Sequence, residues 1–139
     1  MIRAVFDTNV LVSALISPFG NEAQVLTDLQ NGRISPCFSK DMLQEYSEVL
    51  ARPKFRFAPH EIAGLIGLLQ SKGFRVQPPS APGLSPDPAD DSFIACALAA
   101  DADFLVTGNK RHFPAQSCGR TKVVSARELI EFLNTPRSP

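Results

Sequence analysis

Apolar residues in this chain come in two alternating forms, short continuous runs and longer stretches with helical spacing. IRAVF (2–6) is a short run rich in β-formers that gives way to polar Asp7-Thr8-Asn9, which predicts a buried strand whose carboxyl end falls at Asp7. After a turn around Ser17-Pro18-Phe19-Gly20, NEAQVLTDLQNG carries Ala23, Leu26 and Leu29 at helical spacing and stops at Asn31-Gly32. RISPCF (33–38) predicts a second strand. SKDMLQEYSEVLA (39–51) predicts a helix with Ser39 as its N-cap, an apolar face of Met42, Leu43, Tyr46, Val49 and Leu50, and an end imposed by Pro53. PHEIAGLIGLLQSKG (59–73) is a third helix, opened by proline and closed by glycine.

FRVQ (74–77) is a brief strand. Prolines at 78, 79, 82, 86 and 88 then crowd QPPSAPGLSPDPADD, and no regular element survives that density. DSFIACALAADA (91–102) is apolar nearly all round, the mark of a buried helix. DFLVTGN (103–109) is a strand ending at Thr107-Gly108, TKVVS (121–125) a last strand and ARELIEFL a last amphipathic helix. Strands alternating with helices predict a mainly parallel sheet covered on both faces, whose functional crevice lies beyond the carboxyl ends of the strands.

The length of 139 residues fits one compact domain over 1–134 with a frayed tail at 135–139. With 14 Lys+Arg against 14 Asp+Glu, a domain that gathers nucleic acid by bulk attraction is excluded, and any phosphate contact must come from placed side chains or a metal. The apolar N-terminus is interrupted by Arg3 and Asp7, so the expectation is neither a secretory signal nor a membrane span. Cys37, Cys96 and Cys118 lie far apart without C-x-x-C spacing, which reads as core thiols in a reducing cytoplasm rather than zinc ligands or a disulfide.

Several acids map to the same sheet edge. Asp7 fits two readings, a turn aspartate or a site carboxylate. Asp90 and Asp91 open the buried helix at that edge, and one acid suffices for a cap, so Asp90 is assigned mainly to capping and Asp91 to function. At about 100° per residue, Glu45 lies about 100° from the centre of the apolar face at Tyr46, whereas Glu48 lies about 160° away. Glu45 therefore borders the buried face with no lysine or arginine at 41, 42, 48 or 49 to pair with it; a rim glutamate reaching solvent remains the other reading. Asn109 follows a strand end and faces the same crevice, unless Gly108-Asn109 is a plain turn. Asp101 and Asp103 belong to the opposite edge and are assigned to solvent. Carboxylates gathered this closely need a counter-charge, and with no Cys/His cluster the all-oxygen set points to Mg²⁺ or Mn²⁺.

VFDTNVLVSALI, the Glu45 helix running into EVLARPKFRF, and DPADDSFIACALAADADFLVTGNKRHF together resemble the PIN-domain family, nearest to the small prokaryotic toxins of type II toxin–antitoxin pairs. The resemblance implies a metal-dependent endoribonuclease on a three-layer α/β/α sandwich with a five-stranded parallel sheet. Carried over by position, Asp7, Glu45 and Asp91 are catalytic and metal-binding, with Asn9, Thr107 and Asp90 as supporting polar groups. The family often has a fourth acid where this chain has Asn109, which offers a carbonyl oxygen but no charge, so one firmly held ion is expected in the free protein. The implied reaction is in-line hydrolysis of RNA leaving a 3′-hydroxyl and a 5′-phosphate.

RNA contacts are assigned to Arg52, Lys54 and Arg56, interleaved with Phe55 and Phe57, and to Lys110 and Arg111; the two phenylalanines fit a core role equally well. His112 has no partner in the sequence and is assigned a structural role or a minor phosphate contact. A cytoplasmic homodimer and an antitoxin whose tail covers the crevice complete the implied picture.

Two other families begin with an acid after the first strand. A haloacid-dehalogenase-type phosphatase needs a second acid where this chain has Asn9, and a receiver domain needs an acidic pair where Asp7 stands alone. The alternative from a different class is a catalytically weak PIN-like module that binds RNA or a protein partner without cleavage, and Asn109 is the residue that sustains it.

Overall fold

The computed structural model describes residues 1–79 and 83–135. Among these, five strands form one all-parallel sheet: β1 (Ile2–Phe6), β2 (Ile34–Phe38), β3 (Phe74–Arg75), β4 (Phe104–Val106) and β5 (Lys122–Val124), in the order β3-β2-β1-β4-β5. Six helices accompany them among the described residues: α1 (Thr8–Ile16), α2 (Asn21–Gln30), α3 (Lys40–Leu50), α4 (Pro59–Lys72), α5 (Asp91–Ala100) and α6 (Ala126–Asn134). α5 packs across β1, β2 and β4, while α2, α4 and α6 pack on the strands and on one another, which is the α/β layering predicted from the alternation of elements. No helix among the described residues is long and apolar enough to cross a membrane.

The central strands are apolar because both of their faces are covered. Ala4, Val5 and Phe6 of β1 and Phe104, Leu105 and Val106 of β4 are all buried. From β1 the chain winds outward through β2 to β3 and then crosses back to β4 on the other side of β1. The strand order therefore reverses between β1 and β4, and a crevice opens beyond their carboxyl ends.

The sequence pattern misses one helix. α1 begins immediately at Thr8, with Asp7 in extended conformation at its N-cap position, and buries Thr8, Val10, Leu11, Val12 and Ala14. Its β-branched residues and nearly unbroken apolarity hide the helical period, since a segment buried on most sides shows no polar face. β3 is shorter than FRVQ: only Phe74 and Arg75 pair with β2, followed by a bond from the Val76 amide to the Phe38 carbonyl. Prolines 78 and 79 lack the donors that would extend it. β4 likewise ends at Val106, just before the expected end at Thr107-Gly108. The tail expected to fray lies outside the described residues from position 136, and 80–82 of the proline-rich loop also lie outside them.

Local chemistry matches the other boundaries. The Ser39 hydroxyl accepts from the Met42 amide at the start of α3, and Ser125 and Glu128 form a reciprocal capping box on α6. α4 starts at Pro59 and ends before Gly73, where an added Cβ would lie 1.8 Å from the Pro36 carbonyl oxygen, so only glycine lets α4 turn back so closely over β2.

Under the crevice lies an aromatic floor. Tyr46 of α3 is 6.2 Å from Phe93 of α5, and Phe93 meets Phe113 edge-on at 6.3 Å, all three fully buried. The Tyr46 hydroxyl donates to the Phe6 carbonyl at the end of β1. Tyr46→Phe keeps the ring but strands that carbonyl, and is expected to cost about 1–3 kcal/mol of unfolding free energy in urea titrations.

Candidate metal-binding active site

Asp7 is positioned by the sheet itself. Its amide donates to the Val106 carbonyl at 2.9 Å, continuing the β1–β4 ladder one residue past the strands. Its carboxylate, only 7% exposed, accepts the Thr107 hydroxyl at 2.8 Å. The Asn109 amide in turn donates to the Thr107 Oγ1 at 2.9 Å, which leaves the hydroxyl proton aimed at Asp7. Burial pushes the Asp7 pKa up; the Thr107 hydroxyl, the Thr8 amide, the charge of His112 and the Asn9 amide pull the other way. Thr107 and Asp7 thus bridge the two strands that define the crevice.

Glu45 reaches the same edge from α3. It is half-buried beside fully buried Tyr46, while Glu48 is exposed, as the helical wheel predicts. The buried Thr8 hydroxyl at the start of α1 donates to its Oε2. Burial raises the Glu45 pKa, the Thr8 bond lowers it, and the charge of Asp7 raises it again. Arg52, just past the end of α3, supplies an opposing attraction that the search for partners along the helix itself could not find.

The adjacent aspartates make different contacts, neither of them the capping bond expected of Asp90. Asp90 makes no capping bond; its Oδ2 lies 2.8 Å from the His112 Nδ1, and its carboxyl is pushed up to about 6, first by burial and then by the charge of Asp7. Asp91 is the residue tied to local structure, with Oδ1 accepting the Ser85 amide at 2.7 Å and Oδ2 the Gly83 amide at 3.0 Å. The reason is the single turn of 3₁₀-helix at Pro88–Asp90, which sets Asp90 in αR conformation before α5 begins and turns its side chain away from the helix amides. Adjacency in sequence could not reveal which carboxylate turns inward.

His112 has partners after all. Besides Asp90, its Nε2 lies 3.1 Å from the Asn109 Nδ2, and its carbonyl accepts the Ser85 hydroxyl. Asp87 is a further acid that the sequence reading missed. Donor atoms of Asp87, Asp90 and His112 all lie within 4.8 Å of one another, a spacing at which one cation can be shared. The signal was present in DPAD, because residues three apart eclipse across a 3₁₀ turn. The donor set is therefore carboxylate oxygen plus one imidazole nitrogen, which fits a divalent ion and departs from the all-oxygen expectation. Asn9 is exposed on the first turn of α1.

The basic residues are variously engaged. Arg52, Lys54 and Arg56 are exposed, but Phe55 and Phe57 stack on each other at 5.5 Å, both packed against the core, and the Lys54 ammonium sits 5.1 Å over the Phe55 ring. Lys110 pairs with Glu128, and Arg111 is exposed beside it. Asp101 and Asp103 hold Arg120 at 3.3 and 3.1 Å, and Asp103 also accepts the Arg3 amide. An apolar groove of about 600 Å³ between α3 and α4, lined by Ser47, Ala51, Phe57, Ile62 and Ile66 among others, contains none of the acids.

Compared with known families, the sequence matches the family model described as PIN domain over residues 3–111, a span that includes most of β1, all the clustered acids and His112's neighbour Arg111. No curated protein gives a match.

Two outcomes follow from the geometry. Folding raises the Asp90 pKa from the ordinary 3.8 to about 6, so between those values the folded chain holds a proton that the unfolded chain has released. Melting temperature in EDTA is expected to fall as pH rises through that window, and Asp90→Asn to flatten the fall. Asp91→Asn is expected instead to accelerate hydrogen exchange at the Gly83 and Ser85 amides by about tenfold, since loss of a charged acceptor costs about 1.5 kcal/mol or more.

Proposed function

The chain belongs to the PIN-domain family, whose members are generally nucleases that need metal ions, and from that membership we propose that it is a metal-dependent endoribonuclease and the toxin of a type II toxin–antitoxin pair. The observation that carries the reading is the convergence of Asp7, Glu45 and Asp90 on the carboxyl edge where the strand order reverses, with Asp87 and His112 beside them.

Asp87, Asp90 and His112, whose donor atoms lie within 4.8 Å of one another, would hold the ion, Mg²⁺ or Mn²⁺ in the first instance, with the charges of Asp7 and Glu45 at the same edge. Bound there, a divalent ion activates water for in-line attack and neutralises charge in the transition state. The chain's own groups prepare that centre. Thr107 fixes the Asp7 carboxylate, Thr8 fixes Glu45, and Asn109 steadies the His112 ring. Asp91 sets the loop at Gly83–Ser85, which in turn holds His112 through the Ser85 hydroxyl. Arg52, whose charge acts on Glu45, and Arg111, next to His112 in sequence, are assigned to RNA phosphates together with Lys54, Arg56 and Lys110, the last able to exchange Glu128 for a phosphate. The homodimer, the cytoplasmic location and an antitoxin tail over the crevice rest on the family resemblance alone.

The purified chain with Mn²⁺ is expected to cut structured RNA to products with 5′-phosphate and 3′-hydroxyl ends, and to leave DNA of the same sequence intact. Asp7→Asn should lower the rate about a hundredfold or more, the usual effect of removing one charge-stabilising group. Undiminished cleavage by that variant would overturn the reading. Gel shifts with RNA that persist in EDTA, without products at any metal concentration, would establish the binding-only alternative that Asn109 favours. For the toxin role, a short reading frame directly upstream whose product relieves growth arrest is the expected result.

A further inference from the structure

We propose that His112 is an inner ligand of the ion centre and that it biases the site toward transition-series divalent ions, Mn²⁺ and more strongly Co²⁺ or Zn²⁺, over Mg²⁺. The inference rests on the nuclease reading only in requiring an ion at this place.

Its first support is spacing. In an octahedral shell with bonds of about 2.1 Å, neighbouring donors lie about 3 Å apart and opposite donors somewhat over 4 Å. The His112 Nδ1 and Asp90 Oδ2 are 2.8 Å apart, and donor atoms of Asp87, Asp90 and His112 lie mutually within 4.8 Å. The Nδ1–Oδ2 pair has the spacing of neighbouring donors, and Asp87 is near enough to join the same shell with a small side-chain adjustment.

The second support is the way the imidazole is held. Its carbonyl accepts the Ser85 hydroxyl, the next residue, Phe113, is wholly buried, and Nε2 faces the Asn109 side-chain amide. The ring is thus gripped on the side away from the carboxylates, with Nδ1 turned toward them. With an ion on Nδ1 the ring proton sits on Nε2, and the Asn109 carboxamide, whose two ends are interchangeable by rotation, presents its oxygen to that proton. This is the outer-shell partner that metal-bound histidines commonly have.

The chemistry then follows from donor type. Mg²⁺ favours an oxygen shell and dehydrates reluctantly, whereas imidazole nitrogen suits the later divalent ions, whose affinities rise along the series toward Cu²⁺. With the uncharged Asn109 and the His112 imidazole beside Asp90, the centre offers a softer nitrogen donor next to its hard carboxylates.

Isothermal titration of the EDTA-stripped full chain with Mg²⁺, Mn²⁺ and Co²⁺ tests this, together with the visible absorption of the Co²⁺ complex, which reports nitrogen ligation. The wild-type chain is expected to bind Mn²⁺ about tenfold more tightly than Mg²⁺, and Co²⁺ more tightly still. His112→Ala should weaken Mn²⁺ and Co²⁺ by about tenfold or more, alter the Co²⁺ spectrum and leave Mg²⁺ nearly unchanged. His112→Gln, which keeps a polar side chain of similar reach, serves if the alanine variant fails to fold, and should shift preference back toward Mg²⁺. Equal affinities in wild type and variant, or an unchanged Co²⁺ spectrum, would overturn the role of His112; the nuclease reading would survive if Asp7→Asn still abolished ion binding. A wild-type chain that binds none of the three ions would remove both.

Discussion

Asp7 lies close enough to Glu45 and Asp90 for its charge to raise the pKa of both, yet among the described residues no lysine or arginine forms an ion pair with any of the three. Like charge gathered at a partly buried edge works against folding, because each carboxylate has lost water that a cation has not replaced. What holds it there is a set of hydrogen-bond donors: the Thr107 hydroxyl on Asp7 and the Thr8 hydroxyl on Glu45, with the His112 ring on Asp90. The fold tolerates this centre rather than drawing stability from it, which is the usual condition of a site built for a ligand.

The tolerance comes from the layer immediately below. Four polar groups of the centre adjoin a buried anchor in sequence: Phe6 before Asp7, Tyr46 after Glu45, Val106 before Thr107, Phe113 after His112. Burying a side chain of this size is worth about 1.5–3 kcal/mol, enough to offset the cost of ordering the neighbouring carboxylate. Tyr46, Phe93 and Phe113 join α3, α5 and the segment after β4 into one floor, and the Tyr46 hydroxyl ties that floor to the end of β1. Displacing one anchor would therefore move more than one ligand.

Asp91 and Asp87 show how a loop takes part. Among its described residues, the proline-rich stretch between β3 and α5 forms only the 3₁₀ turn at Pro88–Asp90, and side chains hold it: Asp91 on two backbone amides, Ser85 on the His112 carbonyl, Asp87 on the Ala89 amide. These bonds bring Asp87 and Asp90 to the same place as His112, which lies twenty-two positions beyond Asp90. The rigidity of proline makes such a loop inexpensive to order, since it has little conformational freedom to lose.

The linear sequence determined the sheet-and-helix alternation, most of the boundaries, and the placing of Asp7 and Glu45 at the carboxyl edge of the sheet, because apolar periodicity, caps and proline act over a few neighbouring residues. α1 escaped it because a segment buried on most sides has no polar face to mark its period. The choice between Asp90 and Asp91 escaped it too, since one backbone turn at Pro88–Asp90 decides which carboxylate faces inward. Only the tertiary structure could join His112 to Asp90 across twenty-two positions, or set Thr107 against Asp7 across a hundred. Hydrogen bonds of that kind depend on which strand lies beside β1, and strand order is a property of the whole folded chain.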